Sequence, residues 1–283
     1  MEELIAQARS LEARDPARAA DLYWQVLGEQ HANLEAHNAL ERLNARQRYS
    51  AWMRINCVID PRDDIFRFIA GQDISRNAIR EYLSDGWRTL SELMVLMDSV
   101  DRPLTRVASM LEFASGYGRF TRHLVKVLPG RITCADILPG ANEFVHEQFG
   151  VRVLDSARQP ESFHAPHAFE LVFVLSLFTH VPPARWAAWL QALYRATQPG
   201  GLLVFTIHNE RMAIDEGVRF HAAGTHFIPT SESPSLGGDV YGTTFTTRAW
   251  AERCVEEALG IAPLAFREHA FWVGQDALVV ARA

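Results

Sequence analysis

Hydrophobic positions along the chain fall into two regimes. In the first 45 residues apolar side chains recur at helical spacing: Leu4, Ile5, Ala8 and Leu11, then Ala19, Ala20, Tyr23, Trp24 and Leu27, then Leu34, Ala36, Ala39, Leu40 and Leu43. Asp15-Pro16 separates the first two helices, since proline is tolerated at a helix start. Residues 46–64 read as a linker or extended segment. A further helix is expected over 75–98, with Ile79, Tyr82, Leu83, Trp87, Leu90, Leu93, Met94 and Met97 on one face. Asp101-Arg102-Pro103 ends it. Tyr82 and Trp87 are expected in the core or over a cofactor.

From residue 106 short apolar runs alternate with amphipathic stretches. The runs are Val107–Phe113, Ile132–Ala135, Val151–Leu154, Leu171–Leu175 and Leu202–Ile207. The helical stretches lie near 119–128, 141–148 and 184–197. Alternation at this spacing predicts parallel strands joined by crossover helices, a doubly wound α/β sheet. A helix is expected from Thr247, with Trp250, Cys254, Val255 and Ala258 on one face. Leu264–Glu268 and Leu278–Ala281 have no helix between them and predict a closing antiparallel hairpin. Residues 209–246 show neither period, and predict a long loop serving as a substrate lid or as a packing insertion.

Composition narrows the class. Of 283 residues, 48% are hydrophobic and 22% charged, an ordinary globular balance. The net charge of −6 opposes the basic field a nucleic-acid binder needs. Cys57, Cys134 and Cys254 are odd in number and far apart, which argues against a disulfide framework or a structural zinc site. The longest nearly apolar stretch, Leu171 to Phe178, is far short of the roughly 18 residues of a membrane span. No basic segment followed by an apolar one opens the sequence, so a cytoplasmic location is expected.

The chemistry concentrates in residues 107–120, V-A-S-M-L-E-F-A-S-G-Y-G-R-F. An apolar strand runs into Glu112, then a turn of small residues, then a helix start. Ala114, Gly116 and Gly118 let the backbone approach a ligand, and the helix beyond offers free N–H groups. Asp136 lies 18 residues after Gly118, at the end of the next strand. A carboxylate there can accept both hydroxyls of a ribose. Together these predict an adenosine-cofactor site. A nicotinamide dinucleotide favours a third glycine, but Gly116-x-Gly118-x-x-Thr121 lacks it. The acidic Glu112 suits a cationic group better than a pyrophosphate.

These residues resemble the class I S-adenosylmethionine-dependent methyltransferases. The family's acidic-x-Gly-x-Gly-x-Gly motif matches Glu112-Phe113-Ala114-Ser115-Gly116-Tyr117-Gly118, with Ala114 in place of the first glycine. The ribose-binding acid matches Asp136, with Ile137 beside adenine. Asp155 and Ser156 fall where the family contacts adenine. The stretch 169–183, which includes Leu175, looks like the fourth motif, and Pro199-Gly200-Gly201 like the turn into the fifth strand. The resemblance covers roughly residues 75–283. It implies a Rossmann-like seven-stranded sheet with a C-terminal antiparallel hairpin, S-adenosylmethionine as cofactor, and a methyltransferase domain placed at 65–283. The first 64 residues form a helical appendage and linker, whose small-residue spacing resembles a tetratricopeptide repeat. That appendage packs on the catalytic domain or in a homodimer, or docks a protein partner.

An oxygen acceptor would often need a base. His180 and His208, just after the fourth and fifth strands, are the candidates, each weighed against a purely structural role. A metal set drawn from His208, Glu210, Asp215, His221 and His226 lacks ligand spacing, so no metal is expected. Gln275-Asp276 is weighed as a substrate contact against turn chemistry. The acidic charge, and the lack of an Asn/Asp-Pro-Pro-Tyr stretch or a Pro-Cys pair, favour a small-molecule or glycan-type acceptor over nucleic acid. Two rivals remain: a nicotinamide-dependent oxidoreductase, and a non-catalytic scaffold that uses the N-terminal helices.

Overall fold

A computed structural model describes residues 1–45, 48–71, 77–230, 233, 236–238, 240–272 and 274–283. The chain divides into two compact units, Met1–Gly86 and Trp87–Ala283.

The first unit is helical: α1 (Glu2–Leu11), α2 (Pro16–Glu29), α3 (Leu34–Arg42), α4 (Tyr49–Met53), α5 (Asp64–Gly71) and the start of α6 (Ala78–Asp98). The Asp15 carboxylate accepts from Arg18 N at 3.0 Å and Pro16 occupies the first turn of α2. Asn33 caps α3 through Ala36 N at 3.0 Å. Ala8, Ala19, Ala36 and Ala39 are fully buried, so the helices pack closely, with Leu22, Tyr23, Val26 and Leu40 filling the core. Two expectations change here. The segment 46–64 contains the short helix α4 and the first residue of α5, so it is not a plain linker. The predicted start of the long helix at 75–76 lies outside the described residues, and α6 begins at Ala78.

The second unit contains β1 (Met110–Phe113), α7 (Thr121–Val127), β2 (Ile132–Asp136), α8 (Ala141–Phe149), β3 (Arg152–Asp155), β4 (Phe169–Val174), α9 (Trp186–Ala196) and β5 (Thr197–His208). There follow α10 (Glu210–Asp215), β6 (Thr225–Ile228), β7 (Thr243–Thr246), α11 (Arg248–Leu259), β8 (Ala265–Phe271) and β9 (Gln275–Ala281). Strands β1 to β5 are parallel in the order β3-β2-β1-β4-β5. β9 joins β5 antiparallel and carries β8 on its outer edge. These seven strands form the α/β sheet with its terminal hairpin that the alternating pattern predicts. Trp186, Trp189, Leu190 and Leu193 of α9 and Val255 of α11 bury the face that carries Leu111, Phe113, Val172, Val174 and Phe205. Trp87 is 58% exposed, which corrects its expected place in the core.

The stretch 209–246 is the main correction. It holds α10 and the antiparallel pair β6–β7, so it is not an aperiodic loop. Asn209 caps α10 by accepting from Met212 N at 2.8 Å. β7 pairs with β5 at His208, through Phe245. β9 occupies the other edge of β5 there, so the inserted hairpin continues the edge that β4 vacates after Val174. Of residues 231–235, only Ser233 is among the described residues.

Candidate active site

The strand β1 alternates its faces, as any strand does. Leu111 and Phe113 enter the core under α9, and Glu112 points to the opposite side. There it faces Cys134 of β2 and Phe173 of β4 in register. Its carboxylate is buried. Oε2 accepts from the Thr121 hydroxyl at 2.8 Å, and the Cys134 thiol lies at 3.7 Å. Burial pushes the Glu112 carboxyl up to about 8, only partly opposed by those hydrogen bonds, and the charge of Asp136 adds to the rise. No ion pair reaches Glu112 among the described residues. A buried carboxyl without a cation is the donor set that a cationic ligand completes.

The turn after β1 runs on left-handed backbone. Ala114 has φ +59, Gly116 φ +55 and Gly118 φ +75. The two glycines differ in surroundings. A Cβ on Gly118 would lie 2.5 Å from Phe149 Cε2 and 3.0 Å from Val145 Cγ1, so this glycine serves the packing of α8. A Cβ on Gly116 would meet nothing within 4 Å. Gly116 therefore borders open space, as a backbone cradle for a ligand must. Gly116 N donates to Asp136 Oδ2 at 2.7 Å, and Leu138 N to Oδ1 at 2.8 Å. This pins the Asp136 carboxylate beside the turn. Ile137 is half-buried after it. Asp155 is exposed and stands opposite Asp136 in the β2–β3 ladder, with Ser156 next to it. Glu112, Ala114, Gly116, Gly118, Asp136 and Asp155 thus gather at the carboxyl ends of β1, β2 and β3.

Leu175 and Ser176 follow β4, beside the end of β1. His180 and His208 come next to each other, their rings 6.2 Å apart. Each is buried and uses Nδ1 on a carbonyl of the inserted hairpin: His180 on Gly242 O at 2.8 Å and His208 on Thr244 O at 3.0 Å. Tyr241 stacks on His180 at 4.4 Å and Phe245 on His208 at 4.9 Å. Burial lowers both rings to about 4, which keeps them neutral. No group of three or more His, Cys, Asp or Glu suited to a metal is gathered among the described residues. His221 and His226 stack on each other at 5.4 Å.

Two participants escape a reading of the motif alone. Thr121 stands where a dinucleotide fold would have its third glycine, and its hydroxyl holds Glu112. Ser176, with φ +64, anchors a short polar chain to Thr179 and Gln275. A strand-end serine followed three residues later by threonine is the only signal the sequence carries for it.

Comparison with known proteins agrees with the fold. The family described as a methyltransferase domain matches residues 110–201. No curated protein matches. Among solved structures, the glycopeptide N-methyltransferase MtfA aligns at 12% identity and a TM-score of 0.52, over 74% of this chain and 100% of its own. DesVI of Streptomyces venezuelae aligns at 15% identity and 0.51, over 80% and 99%. The PH0226 protein of Pyrococcus horikoshii OT3 aligns at 17% identity and 0.50, over 75% and 94%. The chain has a class I S-adenosylmethionine-dependent methyltransferase-like fold with N-terminal helices.

Proposed function

We propose that the protein is an S-adenosylmethionine-dependent methyltransferase acting on a small-molecule or glycan-type acceptor, at oxygen. The observation that carries this is the buried, cation-free carboxyl of Glu112 beside the open left-handed turn at Gly116. Both fit the cofactor: one end carries an ammonium group and the other is a ribonucleoside. The solved MtfA also includes a complex with S-adenosyl-L-methionine, at 12% identity to this chain.

In this reading Glu112 holds the ammonium group, directly or through a water. The turn at Ala114, Gly116 and Gly118 passes beneath the ligand, and Asp136 holds the ribose hydroxyls. Ile137, Asp155 and Ser156 border the adenine, and Leu175 closes the side next to β4. The bound cofactor supplies the electrophilic methyl on its sulfonium. The protein's part is alignment and exclusion of water. His180 and His208 stay neutral at physiological pH. With Nδ1 turned to a carbonyl, each ring keeps its Nε2 lone pair for the acceptor's proton. The burial that keeps them neutral also makes them weak bases, so they take the proton as the hydroxyl loses its electron pair to the methyl, not before.

The N-terminal helices belong to the same proposal as a docking surface for a partner or a second copy. Trp24, Arg48, Tyr49 and Trp52 border a cavity of about 440 Å³ there, and Trp52 is strongly exposed.

The test is calorimetric titration with S-adenosylhomocysteine at pH 7 in buffers of different ionisation enthalpy. A cation on Glu112 requires the ionised carboxylate, so binding should release close to one proton. Glu112→Gln should abolish that release. Unchanged affinity and unchanged proton release in Glu112→Gln would remove Glu112 from the role.

A further inference from the structure

Gln275 opens β9 opposite His208 in the β5–β9 ladder, so the two side chains leave the sheet on one face. The residue is 5% exposed. Its Nε2 donates to Ser176 Oγ at 2.8 Å. Counting protons fixes this amide's orientation. The Thr179 hydroxyl donates to the Ser176 carbonyl. The contact of 3.0 Å between the two hydroxyls is therefore a donation from Ser176 to Thr179. A serine hydroxyl has one hydrogen, so Ser176 accepts from Gln275, and only the amide nitrogen has a proton to give.

The other end of the amide, Gln275 Oε1, is then a carbonyl oxygen that is enclosed and makes no hydrogen bond. Such acceptors are rare in folded proteins, because burial without a partner is costly. His180 and His208 add two more lone pairs nearby. Each spends Nδ1 on a backbone carbonyl, and neither Nε2 has a hydrogen-bond partner among the described residues. Ser176 lies two residues past Val174, which stands beside Phe113 in the β1–β4 ladder. This polar group therefore shares the carboxyl rim with the Glu112 turn.

We infer that Gln275 is a specificity-determining residue of the methyl-acceptor site: its Oε1 accepts a hydrogen bond from a hydroxyl or amine of the acceptor, and anionic acceptors are refused. The inference rests on the methyl-transfer reading and adds the chemistry of the second substrate to it. One carbonyl oxygen and two neutral imidazole nitrogens offer lone pairs. A hydroxyl or an amine satisfies them, while a carboxylate sets its own lone pairs against them. This is discrimination by unpaired polar atoms, of which Gln275 Oε1 is the buried one, and it rejects the wrong group more sharply than shape does.

The experiment is ligand-observed saturation-transfer NMR on the full chain saturated with S-adenosylhomocysteine. The probes are benzyl alcohol, benzylamine and benzoate, which share a ring and differ in the head group. At least one of the alcohol and the amine should give several-fold more transfer than benzoate. Gln275→Met, which keeps length and loses the oxygen, should erase that preference and leave the S-adenosylhomocysteine affinity within twofold. Ser176→Ala, which removes the hydroxyl that fixes the amide's orientation, should weaken the preference without abolishing it. Equal or stronger transfer to benzoate, no transfer to any probe, or an unchanged preference in Gln275→Met would overturn the inference. Failure of the chain to bind S-adenosylhomocysteine would instead overturn the methyl-transfer reading beneath it.

Discussion

Ala114, Gly116 and Gly118 share a positive φ and should answer substitution in three different ways. At Ala114 an L side chain is held at φ +59, a region that costs about 1–2 kcal/mol. Ala114→Gly should therefore stabilise the protein by up to about 1 kcal/mol, once the greater freedom of unfolded glycine is subtracted. Gly118→Ala should destabilise it by about 3 kcal/mol, from φ strain plus the clash with Phe149 and Val145. Gly116→Ala carries the φ strain alone, yet its methyl enters the open space, so it should lose ligand affinity well beyond its loss of stability. Urea unfolding beside calorimetric titration separates the three. At this scale the motif was legible because the chemistry needs small residues after an acid. The tolerance of alanine at the first position was not, since that depends on what surrounds a single Cβ. The part played by Thr121 was hidden too. Its hydroxyl meets Glu112 only after the turn has folded the helix start back over β1.

Glu112 also sets a pH dependence. Its carboxyl titrates near 8 in the folded chain, above its ordinary 4.5. Between these values the folded state holds the extra proton, so this group's contribution to stability declines as pH rises through that window. Glu112→Gln should flatten that decline in thermal unfolding measured from pH 5 to 8.

Among elements, the inserted hairpin β6–β7 matters most for the chemistry. Its backbone carbonyls hold both histidines, and Gly242 N returns a bond to His180 O at 2.9 Å. A Cβ on Gly242 would lie 2.3 Å from Ile228 O and 2.7 Å from the Phe227 ring. Gly242→Ala should therefore displace the Gly242 backbone, loosen its hydrogen bonds to His180 and let water reach the ring. Imidazole titration by NMR should then show His180 rising from about 4 toward 6.5. The wild-type rings, at about 4, lie below the 6.5 of free imidazole, so the unfolded chain takes up more protons in between. Their contribution to stability is complete above pH 6.5 and is lost as pH falls toward 4, by up to about 3 kcal/mol per ring.

The parallel strands were legible because a strand buried on both faces reads as an unbroken apolar run. The hairpin was not, because Thr225–Ile228 and Thr243–Thr246 are four residues each and mix threonine with single aromatics. The helix α10 is almost as short, and Asn209 as its cap was the one available sign.

For the whole molecule, the sequence pattern was sufficient for the class of the sheet, parallel strands with a closing hairpin, and not for its strand order. Five parallel strands need crossovers, and two late strands without a helix between them can only pair with each other and an edge. The interruption of that plan by a second hairpin, laid along β5 beyond β4, follows from tertiary contacts: Gly242 N on His180 O and Thr244 N on Thr179 O. The N-terminal unit keeps its own core of small residues and short helices, where pattern and structure agree over α1 to α3 and the pattern missed α4 and α5. No helix among the described residues is long and apolar enough to cross a membrane.

The claim at the centre of this account is that the rim formed by Glu112, Gly116 and Asp136 binds the adenosine cofactor of methyl transfer. Parallel calorimetric titrations of the full chain with S-adenosylhomocysteine and with NAD test it most directly. The account predicts binding of S-adenosylhomocysteine and not of NAD, with the affinity reduced at least tenfold in Asp136→Ala while the variant remains folded. Failure of the folded chain to bind S-adenosylhomocysteine, or equal binding by Asp136→Ala, would contradict it.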